Sequence, residues 1–147
     1  MPDNARFGPS QAPISIDDLP ANADFQSGGR RRVLVVDDEH LITDTICAIL
    51  NQNGFEAAAA YNGQEAMEAA LKMRPAMLLS DVLMPKMSGV ELGIRLRKEF
   101  PAMRVILLSG QLATSEIIYQ AESEGHFFEL FSKPIHPEEL IARLKAV

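Results

Sequence analysis

The sequence predicts an α/β domain built on a parallel sheet, and three observations carry that prediction. Beyond Arg32, short apolar runs alternate with longer stretches whose hydrophobes recur at helical spacing, the pattern of strands wrapped by helices. Each run is separated from its helix by turn-forming or polar residues. With 147 residues, 47% of them apolar, the chain can enclose one good core, and a second folded domain would not fit comfortably.

Taken in order, the first run is Val33–Val36, followed by a helix over His40–Asn53. Ile42, Ile46, Ile49 and Leu50 share one face of it, and Gly54 stands where a left-handed C-terminal cap is wanted. Ala57–Ala60 is read as a short buried strand only because Gly54 and Asn62-Gly63 bound it; alanine intrinsically prefers helix. A helix over Gln64–Met73 follows, then the run Met77–Leu79 and a helix over Gly89–Phe100. Val105–Leu108, a helix over Ala113–Glu124, Phe127–Leu130 and a helix over Pro137–Ala146 complete five strand-helix units. Pro75 and Pro101 lie beyond helix ends, and Pro137 suits a first helical position.

Residues 1–29 read differently. Pro2, Pro9, Pro13 and Pro20 among polar residues, with scattered hydrophobes such as Phe7, Ile14 and Ile16, cannot hold a core, so a disordered tail is expected before a folded domain over 30–147. A partner-docking segment around Ile14 to Leu19 is the weaker alternative. Arg30, Arg31 and Arg32 are expected as a solvated entrance to the first strand rather than a nucleic-acid patch. The formal charge of -6 and the pI near 5.0 oppose attraction to nucleic acid or anionic membrane. No apolar stretch approaches the roughly 20 residues of a membrane span. The lone Cys47 cannot form an intrachain disulfide and fits a buried position in a cytoplasmic protein.

In an open parallel sheet the C-terminal strand ends share one rim, so distant polar residues gather there. Reading each run to its end brings Asp37 and Asp38, Asp81, Ser109 and Lys133 together. Three crowded carboxylates repel unless cations sit among them. Oxygen donors suit a hard ion such as Mg²⁺, whereas zinc would want histidine or cysteine, and His40, His126, His136 and Cys47 make no ligand spacing. A Mg²⁺ beside Asp81 could support phosphoryl transfer with Asp81 as nucleophile and with Lys133 and Ser109 meeting the product. Any single Asp after a strand is more often a helix cap or loop residue; the combination at several strand ends shifts the balance.

The blocks VLVVDDEH, LLSDVLMPKMSGVEL, VILLSG and FSKPI resemble the four signature blocks of response-regulator receiver domains, over about Arg31 to Val147. The resemblance implies a flavodoxin-like five-stranded sheet in the order 2-1-3-4-5. It implies Asp81 as phosphoacceptor from a sensor histidine kinase or phosphotransfer protein, in a protein that is no general enzyme and catalyses only its own phosphorylation and dephosphorylation. It implies Mg²⁺ on Asp38, Asp81 and the Leu83 backbone carbonyl, with Asp37 acting directly or through water. Lys133 would pair with the phosphoryl group across a cis bond to Pro134, while Pro85 and Gly89 would shape the loop after Asp81. Ser109 stands where the family places its switching hydroxyl.

Two positions depart from that pattern. Gly110 occupies a place often held by Ala, and Leu130 replaces the usual switch aromatic, which bears on output coupling but not on phosphorylation chemistry. Phe128 and Phe131 are the candidates to substitute, though strand parity places neither well. The implied output is a downstream protein partner, with a homodimer on phosphorylation as an alternative, and the end at Val147 suggests a stand-alone receiver or one cut from a longer protein. Two rivals stand beside this reading. A haloacid-dehalogenase-type phosphatase expects an acid two residues past its nucleophile, where this chain has Leu83. A receiver-like module that binds proteins without being phosphorylated is the other.

Overall fold

The computed structural model describes residues 30–110 and 113–146. The expectation for the segment 1–29 lies outside them. The described chain alternates strand and helix: β1 (Arg31–Val36), α1 (His40–Asn51), β2 (Phe55–Ala60), α2 (Gly63–Met73), β3 (Met77–Asp81), α3 (Gly89–Glu99), β4 (Arg104–Ser109), α4 (Ala113–Ser123), β5 (Glu129–Ser132) and α5 (Pro137–Lys145). All five strands pair in parallel in the order β2-β1-β3-β4-β5, the flavodoxin-like order that the resemblance implied.

A parallel sheet covered on both faces needs strands that are apolar on both sides. Leu34 and Val36 of β1 point into a cluster with α2, α3 and α4, through Ala66, Leu92 and Ile118. Val33 and Val35 point the other way, with Ile46 and Leu50 of α1 and Leu140 and Leu144 of α5. The β2 alanines divide the same way, Ala58 and Ala60 on the first face and Ala57 on the second, so burial in the sheet overrides their helix preference. Because β2 is an edge strand, Ala57 lacks a neighbour on its outer side. The Asn51 amide supplies one, accepting from the Ala57 N–H at 2.7 Å and donating to its carbonyl at 3.3 Å.

Local signals place the helices. Asn62 caps α2 by accepting from the Glu65 N–H at 2.8 Å, and Ser88 caps α3 by accepting from that of Glu91 at 3.1 Å. Gly54 turns the chain into β2 at φ +95°, where a side chain would be strained.

Two expectations need correction. Arg32 is not a solvated strand entrance: it is 1% exposed, and its Nη1 donates to the Met73 carbonyl at 2.8 Å at the end of α2. A strand flanked on both sides buries even its entrance, and the α2 C-terminus offers a partner that favours a cation. The last strand is Glu129–Ser132 and not Phe127–Leu130. Phe127 is 64% exposed, and Phe128 packs towards Gly93 of α3 with the Arg97 guanidinium 4.4 Å from its ring centre. Glu129 belongs to the strand because Arg104 grips it, Nη2 to Oε1 at 2.8 Å, while also donating to the carbonyls of Arg143 and Ala146 at the end of α5. The apolar pair that looked like the strand is thus the packing that leads into it.

The loop after β3 is drawn tightly onto the sheet. The Gly89 N–H donates to the Val82 carbonyl at 2.8 Å, and a Cβ built on Gly89 would stand 2.1 Å from the Asp81 carbonyl oxygen. Backbone cannot yield as a flexible side chain does, so Gly89→Ala should lower stability by about 3 kcal/mol or more; urea unfolding midpoints of the two proteins check this.

Candidate functional site

The strand register builds the site. Val36 lies opposite Ser80, which sets Asp37, one residue past β1, beside Asp81 at the end of β3. Asp81 lies opposite Leu108, and Ser109 opposite Ser132, which brings Ser109 to the same rim one step from Lys133. The Lys133 N–H donates to the Ser109 carbonyl at 3.0 Å, and the Lys133–Pro134 peptide is cis.

The ammonium of Lys133 reaches 3.1 Å from Asp81 Oδ1 and 3.6 Å from Asp37 Oδ2. Carboxylate oxygens of Asp37, Asp38 and Asp81 all lie within 4.8 Å of one another. Asp37 is wholly buried, Asp81 partly so, and Asp38 is exposed. Asp37 Oδ1 accepts the Glu39 N–H at 3.0 Å, but the buried Oδ2 has no hydrogen-bond partner among the described residues. Asp81 Oδ1 also accepts the Val82 N–H at 3.0 Å.

Burial pushes the Asp37 carboxyl up to about 6, and repulsion from Asp81 adds to it; the Glu39 amide and the Lys133 charge only partly oppose this. Burial likewise raises the Asp81 carboxyl despite the bond from Lys133. Burial works against the Lys133 charge, yet Asp81 and Asp37 together hold its ammonium above the ordinary lysine range. More negative charge is therefore gathered than one ammonium neutralises. An all-oxygen donor set that includes a buried carboxylate oxygen without a hydrogen bond is what a hard divalent cation accepts, so these residues fit Mg²⁺.

Of the remaining expected residues, Ser109 is half-buried at the rim, and the Leu83 side chain packs against the core on the α3 face. Leu130 is 40% exposed on β5, opposite Leu107. Neither phenylalanine takes up a switch position beside it: Phe128 is engaged at α3, and Phe131 is buried on the opposite face beneath Arg143. Gly110 lies against the Lys133 stem, where a Cβ would meet Lys133 Cβ at 3.0 Å.

Two contacts beside the acids were not read from the sequence. The Thr43 hydroxyl, buried on α1, lies 2.8 Å from the Asp37 carbonyl and 3.0 Å from that of Glu39. The second of these is the ordinary back-bond of a helical threonine to the residue four earlier, the one signal that could have drawn notice. Outside the loop, Tyr61 donates to Asp44 at 2.5 Å and stacks on His40 with ring centres 3.8 Å apart, and that hydrogen bond pushes the phenol up to about 12.

The chain is 30% identical over 117 residues to the DNA-binding response regulator MtrA of Mycolicibacterium smegmatis, covering 80% of this chain and 50% of that protein. It is 34% identical over 115 residues to the probable transcriptional regulatory protein TcrX of Mycobacterium tuberculosis, covering 78% and 48%. The chain thus spans about half the length of the curated relatives it matches. Among solved structures, chemotaxis protein CheY4 of Vibrio cholerae superposes with a TM-score of 0.70 at 29% identity, over 81% of this chain and 99% of that one. A two component transcriptional regulator AraC from Clostridium phytofermentans gives 0.66 at 36% identity, over 78% and 89%. The family model for the response regulator receiver domain matches residues 33–145. With that match spanning nearly all of the sheet and its helices, the chain belongs to the response regulator receiver domain family.

Proposed function

We propose that this domain is a phosphoacceptor switch in which Asp81 takes a phosphoryl group, in the presence of Mg²⁺, from a sensor histidine kinase or a phosphotransfer protein. The observation that supports this most is the crowding of Asp37, Asp38 and Asp81 beside one ammonium, with a buried Asp37 oxygen that has no hydrogen bond and only the Lys133 charge 3.6 Å away. Asp38, Asp81 and the Leu83 carbonyl would hold the ion, with Asp37 joining directly or through water. When bound, Mg²⁺ would offset the charge of the phosphoryl oxygens during transfer. A carboxylate oxygen of Asp81 attacks phosphorus. The bond to the donor nitrogen breaks with its electron pair staying on the imidazole, and an acyl phosphate remains. Lys133 keeps its proton and follows the new negative charge. Ser109, whose carbonyl accepts the Lys133 N–H at the rim, donates its hydroxyl proton to a phosphoryl oxygen and draws the following loop inward.

The folded unit is taken as residues 30–147, acting in the cytoplasm, and no helix among the described residues is long and apolar enough to cross a membrane. An apolar groove of about 410 Å³ between α1 and the Lys133–Pro137 turn, bordered by the 80% exposed Leu41, gives a phosphodonor protein a surface beside the acceptor. Output passes to a downstream protein, with pairing of two phosphorylated copies as a variant of the same scheme and no nucleic acid bound by this domain itself. A second reading, a binding module that is not phosphorylated, draws on Leu130, which has no ring to alternate between packed and exposed positions.

Three measurements test the proposal. Incubation with acetyl phosphate and Mg²⁺ should add one phosphoryl mass; chelation or Asp81→Asn should abolish the gain, and its absence in the unaltered protein would favour the binding module. Leu83 offers no base or amide to orient water, so the acyl phosphate should persist for minutes rather than seconds without a phosphatase, as followed by mass or by ³¹P resonance.

The third is a pH dependence. Between the ordinary carboxylate value of 3.8 and about 6, folded metal-free protein holds a proton on Asp37 that the unfolded chain has lost. That stabilising contribution is present at low pH and disappears as pH rises through this window. Because cation binding needs the ionised form, the Mg²⁺-induced rise in melting temperature should be small near pH 5, grow through about pH 6 and level off by about pH 7.5. Asp37→Asn should flatten the profile.

A further inference from the structure

Thr43 stands on the inner face of α1 in company with Ile46, Cys47 and Leu50, all buried. A hydroxyl among apolar neighbours is costly unless it is bonded, and valine would fill the same volume without that cost. Here the hydroxyl faces the loop that carries the acids, with its single proton shared between the carbonyls of Asp37, at 2.8 Å, and Glu39, at 3.0 Å. The same short segment is held at three further points. The Asp37 N–H donates to the Ala60 carbonyl of β2 at 3.3 Å, Asp37 Oδ1 accepts the Glu39 N–H at 3.0 Å, and the Thr43 N–H donates to the Glu39 carbonyl at 3.0 Å. The Thr43 side chain reaches from a packed helix to the backbone of Asp37 itself.

We infer that Thr43 is a positioning residue for the cation site, fixing the peptide of Asp37 and so the placement of the Asp37 and Asp38 carboxylates relative to Asp81. The inference rests on the Mg²⁺ reading above and extends it to a side chain that touches neither the ion nor the phosphoryl group. The mechanism is geometric. Mg²⁺ binds at distances of about 2.0–2.1 Å in a near-ideal octahedron, which tolerates little displacement of its ligands. If the hydroxyl is removed, the Asp37 carbonyl must turn toward another donor, and the two carboxylates that follow from this peptide move with it.

The test is isothermal titration of folded protein with MgCl₂, each variant's fold being checked by circular dichroism. The unaltered protein and Thr43→Ser should bind alike, and Thr43→Val should bind about tenfold more weakly, the lower range for loss of a group that orients a metal ligand. Thr43→Ala against Thr43→Ser asks the same question should the valine variant not fold, since those two differ only by the hydroxyl. Equal Mg²⁺ affinity in the unaltered and Thr43→Val proteins, with only a lower melting temperature, would make Thr43 a packing residue and overturn the inference. Weakened binding in Thr43→Ser to the level of Thr43→Ala would overturn it too, because the hydroxyl would then not be the cause. No Mg²⁺ binding by the unaltered protein would instead sink the reading of the site on which the inference stands.

Discussion

The constraint on which the rest of the molecule depends is the gathering of like charge at the carboxyl ends of β1 and β3. A buried carboxylate is expensive to keep ionised, and Asp37 sits in a place that raises its proton affinity to about 6 while leaving one oxygen without a hydrogen bond. Such a group is retained against its cost only if something else uses it. The surrounding parts are arranged to hold the charge rather than relieve it: the Lys133 ammonium from beyond β5, the Glu39 and Val82 amides, and a glycine at position 89 that lets α3 start hard against the Asp81 backbone. Sheet register supplies the precision, since neighbouring parallel strands fix these residues within a few ångströms of one another although 96 positions separate Asp37 from Lys133.

Much of this could be read from the amino acids because the signals were local and mutually consistent. Apolar runs bounded by turn residues located β1, β3 and β4, and reading each run to its polar end pointed to Asp37, Asp38, Asp81, Ser109 and Lys133. The order of the strands came from resemblance, for periodicity says nothing about which strands are neighbours. Where the reading slipped, tertiary context decided. Phe127 and Phe128 outweigh Glu129 in apolar character, but the strand follows the Arg104–Glu129 pair, whose partner lies 25 residues away. Arg32 read as a solvated charge because its acceptor, the Met73 carbonyl, becomes available only once α2 has packed. Thr43 passed as one more helical residue, since its hydrogen bond to Asp37 depends on the turn between β1 and α1.

Leu130 and Gly110, the two positions that depart from the pattern of the resemblance, lie on the β4 and β5 side of the sheet. Leu130 is a half-exposed aliphatic side chain, and the nearest phenylalanines are committed elsewhere, Phe128 to α3 and Phe131 to the α5 face. Gly110, pressed against the Lys133 stem, joins the rim to the loop that follows β4 without a side chain of its own. Under the proposed switch no ring stands beside Leu130 to turn, which would leave the backbone around Ser109 and Gly110 to carry the coupling.

The hold of Asn51, at the end of α1, on the edge of β2 has a consequence beyond local satisfaction. A border strand of small residues with unanswered peptide groups is a template onto which another chain can zip. Asn51 occupies both hydrogen-bonding groups of Ala57 in that border, so at this residue the row of outward amides is interrupted by a side chain of the same molecule. The alanine-rich margin thus stays slender beneath its helices while offering an incoming strand a broken row of partners.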